Sequence, residues 1–355
     1  DGVCIIETGT FSGCINLIQV KLPDTLATIG THAFQGCSKL ATIVLPASVT
    51  SIGRFAFNGC TSLLSVALPP KITRISDHVF SGCENLNGVF IGPDVTSINP
   101  FAFTGCTKLE CIPLPAKLTT IKEGAFSDCS RLKSITVPNT VVYIGKWAFK
   151  GCTDLTSVDL SETITTIQRG TFCECTGLVT IRLPEGVIRI GACAFAYCNT
   201  LTSIEVSTNV LAIERHAFYG CNINTLIISP GRTDTSTSIC ASVFPSVERL
   251  WAPAPFLREI KTEWSFQANQ IGAIPLKNQA IPGARTWAAV QIWRWWSERE
   301  TPYRQVSSER KTQVQTLLLI GNKFNNKYPN VWIPTEIWFA ILGFVRHPAP
   351  CIRLN

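Results

Sequence analysis

Residues 33–53 read AFQGCSKLATIVLPASVTSIG, and residues 56–76 read AFNGCTSLLSVALPPKITRIS. Both stretches keep Ala-Phe-x-Gly-Cys, the leucine that follows, a Leu-Pro pair and a closing isoleucine, while the positions between them drift. Outward from this pair, Phe11, Phe34, Phe57, Phe80, Phe103, Phe126, Phe149, Phe172, Phe195 and Phe218 fall at intervals of 23 residues. Three residues after each comes a cysteine: Cys14, Cys37, Cys60, Cys83, Cys106, Cys129, Cys152, Cys175, Cys198 and Cys221. A leucine column runs from Leu17 through Leu40 and Leu63 to Leu201. The unit is C-x-x-L-x-x-I-x-L-P-x-x-V-x-x-I-G-x-x-A-F-x-G. After Phe218 it loses one residue, and a degenerate copy at 243–253 keeps Val247, Leu250 and Pro253.

A unit this short cannot bury its own apolar side, but stacked copies build one continuous core, so a fixed period of this size predicts a solenoid. The 355 residues are 46% hydrophobic and 15% charged, which excludes a disordered chain. Alternation in L-x-x-I-x-L predicts a short strand, and the proline (Pro23, Pro46, Pro69, Pro115, Pro138, Pro184) ends it. The V-x-x-I-G segment predicts a second strand on another side of each coil. The expectation is a mainly β repeat solenoid of about eleven coils over residues 1–254, about 50 Å long at a ~4.8 Å strand spacing, followed by a helical unit over 255–355. The chain contains no methionine and enters the pattern part-way through a copy, so it reads as a piece of a longer or processed chain.

The columns quoted from Ala33 to Gly53 resemble the BspA-like leucine-rich repeat family, across residues 1–254. That resemblance implies adhesion or protein binding, since the family includes cell-surface proteins as well as intracellular ones. The asparagine or cysteine that commonly follows the L-x-x-L-x-L strand of leucine-rich repeats is missing, so a strongly curved horseshoe with convex helices is not expected.

The cysteine column shares its period with fixed Leu and Phe columns, which reads as core packing, because free cysteine is among the most buried residue types. Cys173 and Cys175, with Cys193 and Cys198 one coil on, are the nearest thing to a metal cluster, but histidines are not gathered there. His32, His78 and His216 each stand two residues before a repeat phenylalanine and read as surface variants of one column. No metal and no cofactor is expected. Many reduced thiols and the lack of an N-x-S/T sequon point to a cytoplasmic protein, with a cell-surface or secreted one as the alternative. No P-loop, dinucleotide fingerprint, HExxH motif or nucleophile elbow is present, so enzymatic chemistry is not expected.

Function is then expected on the surface. The position after the central residue of the first strand reads Lys21, Val44, Ala67, Phe90, Pro113, Thr136, Asp159, Arg182, Glu205, Ile227 and Trp251. On the other side of that residue lie small, mostly hydroxylated positions: Gln19, Thr42, Ser65, Gly88, Cys111, Ser134, Ser157, Thr180, Ser203, Thr225 and Arg249. Both ranks point away from the core by strand alternation. The candidate partner-binding residues are Val44, Ala67, Phe90, Thr136, Asp159, Arg182, Glu205 and Trp251, for a protein partner. The charged members of the first rank argue against an ice-binding face.

Residues 1–254 hold 18 Lys and Arg against 18 Asp and Glu, whereas 255–355 hold 13 against 6 and seven of the nine tryptophans. TWAAVQIWRWWSERE (286–300) places Ala289, Ile292, Trp293 and Trp296 on one helical stripe, and 307–324 reads as a second amphipathic helix. This basic region is expected either to cap the last coil or to bind an acidic partner. No nucleic-acid partner and no membrane span are expected, since no apolar run approaches the ~20 residues a span needs. Residues 333–347 resemble the opening helix of an F-box at Pro334, Glu336, Ile337, Ile341, Leu342 and Phe344, which implies an adaptor role, although only eight residues follow.

Overall fold

The computed structural model describes residues 2–229 together with the strands Arg249–Pro253 and Gln270–Ile274. Residues 2–229 form about ten coils stacked in parallel, all within one compact unit, Asp1–Leu276. The expected helices of the region 255–355 and the F-box-like segment lie outside the described residues.

Each coil turns a corner where its sequence provides one. The Leu-Pro carbonyl accepts the amide three residues on, as in Val49 N to Pro46 O at 3.1 Å and Leu118 N to Pro115 O at 3.0 Å. The residue closing each such turn is apolar and buried: Leu26, Val49, Ile72, Leu118 and Val141, with Val95 closing the same turn onto Gly92. A two-residue strand follows at the Ile-Gly site. Ser51–Ile52 pairs in parallel with Thr28–Ile29, and the strands Arg74–Ile75, Ser97–Ile98, Thr120–Ile121 and Tyr143–Ile144 make a four-rung ladder. The isoleucine faces inward in every rung, as period-two alternation requires.

Two columns tie coil to coil. The phenylalanine rings from Phe11 to Phe218 stack face to face, with centroids 5.1–5.6 Å apart and planes within 2–16° of parallel. Beside them the cysteine column is more than packing. Each thiol from Cys37 to Cys221 donates to the carbonyl of the phenylalanine in the preceding coil, at 2.9–3.2 Å. The same carbonyl takes the backbone amide of the cysteine within its own coil, as in Cys83 N to Phe80 O at 3.1 Å. Every described cysteine is a free thiol. Burial pushes the Cys60 thiol up to about 12 and raises Cys83, Cys106 and Cys152 well above the usual range.

The histidines are not simple surface variants. His32, Phe55, His78 and Phe101 stack at 4.5–4.9 Å into a second, half-buried aromatic ladder. Their column keeps left-handed backbone in every copy, with φ of 52–57° at these four residues, a conformation that disfavours side chains other than glycine. Burial also lowers the His78 pKa. Gly124 continues the column at φ +57°, and a Cβ there would fall 2.3 Å from the Phe101 ring, so Phe101 covers a site only glycine leaves open. His216, farther along, is exposed.

The parallel ladder also has a rung that the 23-residue pattern does not mark. Gln270–Ile274 pairs with Arg249–Pro253, which pairs with Thr225–Ser229.

Three outcomes are expected. Phe103→Ala removes a fully buried ring stacked at 5.5 Å on both sides and should cost ~3–5 kcal/mol in a urea titration. Gly124→Ala adds both left-handed strain and a clash with Phe101 and should cost ~1–2 kcal/mol, with the clash part relieved in a Phe101→Ala background. Alkylation of native protein, mapped by mass, should modify the exposed Cys4, Cys14 and Cys111 within the time that leaves Cys83, Cys106 and Cys152 untouched.

Candidate functional site: the first strand face

The first strand of each coil alternates as its sequence demands. In Ser65–Ala67, Gly88–Phe90, Ser134–Thr136 and Ser157–Asp159 the central residue is buried and the last is exposed. Parallel pairing sets Ala67 opposite Phe90 and Thr136 opposite Asp159. Thr42 bridges Ser65, which carries Val44 into the same rank. Val44 is 83% exposed and Phe90 61%, the reverse of what burial would do with such side chains. Phe90 stands among small neighbours, Ala67, Gly88 and Pro113. A Cβ on Gly88 would meet the Ser65 Cβ at 3.2 Å, so bare backbone suits that position.

The rank is one line of side chains on an interrupted ladder. Pro113 has no N–H to donate, and its coil lacks the first strand, so pairing along this face stops after Phe90 and resumes at Ser134. It stops again at the coil of Arg182 and resumes with Ser203–Ser207. Arg182 remains exposed, and its guanidinium meets the Glu162 carboxylate at 2.6 Å. Glu205 is half-buried; burial raises its carboxyl pKa, while a Ser229 hydrogen bond and the Arg182 charge act the other way. Asp159 is exposed and makes no ion pair among the described residues. On the margin, Glu110 and Lys133 pair at 2.6 Å.

Of the sequence-derived site residues, Val44, Ala67, Phe90, Thr136, Asp159 and Arg182 are therefore aligned and exposed, and Glu205 is partly covered. Trp251 keeps register through its pairing with Ile227, and its side chain lies outside the described residues. Ile227 itself departs from the outward expectation. It is buried, in a five-residue strand paired on both edges. Sequence reasoning missed further exposed apolar residues, Val142 and Tyr143, then Ile188 and Leu211 two and three coils on, at or just before the Ile-Gly strands. Their signal was present mainly in the position two before each isoleucine, which carries Thr50, Thr73, Thr96 and Thr119 in earlier coils and Val142, Ile188 and Leu211 later.

Among the described residues no group of three or more His, Cys, Asp or Glu side chains is arranged to hold a metal ion. Nor is any helix among them long and apolar enough to cross a membrane.

A family model described as the BspA type leucine rich repeat region, in six copies, matches residues 4–133 and 119–250. The chain belongs to that family. As a BspA-type repeat protein it is similar to a leucine-rich repeat protein of T. pallidum, at 30% identity over 56% of this chain and 82% of that one, with a TM-score of 0.43. A leucine-rich repeat protein from Bacteroides ovatus is 24% identical over 77% of this chain and 88% of that one, also with a TM-score of 0.43. A leucine rich cell surface protein from Faecalibacterium prausnitzii is 24% identical over 65% and 84%, with a TM-score of 0.36. A comparison with curated proteins found no match.

Proposed function

We propose that this BspA-type repeat protein is a non-enzymatic scaffold whose first strand face docks a partner protein. The observation that carries the reading is Phe90: a large aromatic side chain, 61% exposed, between the buried Val89 and Ile91. Interfaces draw most of their energy from a few aromatic and arginine side chains, with small polar residues around them. Phe90 and Arg182 are the anchors in this reading, and Ser65, Ser134 and Ser157 the filler. An intracellular setting belongs to the same proposal, supported by a stack of reduced thiols. The basic region 255–355 is then a second contact, for an acidic partner.

Phe90→Ser and Arg182→Glu should each weaken partner capture by more than ~1 kcal/mol. Thermal stability should stay nearly unchanged, since both side chains are exposed and an exposed ion pair contributes little. Quantitative capture from a lysate of the source organism, with wild type and both variants, reads the result. Identical partners and yields from all three would remove this face from consideration.

A further inference from the structure

The chemistry of the first strand face changes along the coil axis, and the change specifies a kind of ligand. Over its first half the rank presents Val44, Ala67, Phe90 and Pro113, without a charge. Past Thr136 it presents Asp159, Arg182 and Glu205. Glu162 and Glu185 lie close by: Glu162 holds Arg182 at 2.6 Å, and Glu185 acts electrostatically on Glu205. Asp159, Glu162 and Glu205 thus stand against the one guanidinium of Arg182, which Glu162 already engages. The second half of the face is net negative, and a complementary surface there carries cations.

Spacing selects the backbone that can bring such side chains. The rank offers one side chain per coil, about 4.8 Å apart. An extended peptide along the same axis presents same-face residues every ~6.7 Å, about 2 Å out of step at each coil. An α-helix presents one face at alternating steps of three and four residues, an average advance of ~5.2 Å, so it slips only ~0.4 Å per coil. Over the seven steps from Val44 to Glu205 a helix of about six turns drifts by about 3 Å, less than one coil spacing, while a strand drifts as far within two coils.

From this match of pitch and charge we infer that the first strand face receives an amphipathic α-helix of a partner protein, lying along the coil axis. The helix is apolar where it crosses Val44 to Pro113 and bears Lys or Arg where it crosses Asp159 to Glu205. This rests on the docking role proposed above and adds the partner's conformation and charge.

The probe is a synthetic, fluorescently labelled peptide of about six helical turns. Its single stripe carries leucines in the N-terminal half and lysines in the C-terminal half, where cations suit the helix macrodipole. Three further peptides replace the lysines with glutamates, place a proline in the middle, or scramble the stripe. Anisotropy titrations of the full chain should show the first peptide binding at least about tenfold tighter than the other three. Phe90→Ser should weaken it about fivefold or more, and Asp159→Lys should narrow its advantage over the glutamate peptide about fivefold or more. Binding should also shield the exposed Cys111 thiol, which sits in the neighbouring rank, from alkylation. If the proline peptide binds as well as the helical one, or if no peptide binds while Phe90→Ser still abolishes partner capture, the helix assignment is overturned and the docking face stands. If Phe90→Ser changes neither peptide binding nor partner capture, both fall.

Discussion

Everything in this fold depends on the contact between one coil and the next. No coil has a core of its own: a ten-membered phenylalanine stack and a row of thiol-to-carbonyl bonds exist only because neighbouring copies lie in register. The phenylalanine carbonyl is the joint, accepting one donor from its own coil and one from the next. Stability of such an array is close to a sum over neighbour terms, so loss at one coil is felt mainly by the two beside it.

That dependence explains which parts of the molecule could be read from sequence. The period, the strand sites, the inward isoleucines and the register of the first strand face follow from residues that recur in nearly every copy, because each must satisfy the same neighbour. Even the shortened copy after Phe218 kept register, with Glu205 opposite Ile227. The role of cysteine was only half legible. Burial was plain from its column, but a weak directional bond from sulfur to a carbonyl leaves no pattern distinct from that of a small hydrophobe. The aromatic ladder of His32, Phe55, His78 and Phe101 was hidden for a different reason. Its members vary in type, and what they share is a left-handed backbone that no single residue identity announces.

The candidate site was legible as a set of positions and less so as a surface. Alternation predicted that Val44, Phe90, Asp159 and Arg182 face outward, and they do. It did not foresee that Pro113 would interrupt the ladder or that Ile227 would be covered, since both depend on hydrogen bonding across several coils. The exposed Val142, Tyr143, Ile188 and Leu211 were overlooked because a variable position read in one copy at a time looks like drift.

The buried thiols have a consequence that concerns the chain before it is folded. In the finished stack their high pKa and lack of solvent access leave them inert. In the unfolded chain the same column is a string of ordinary thiols spaced 23 residues apart, each able to reach its neighbours through a loop of modest closure entropy. Any disulfide made at that stage would occupy sulfurs that the phenylalanine carbonyls require. The same sulfurs are thus open to thiol chemistry in the unfolded chain and closed to it in the stack.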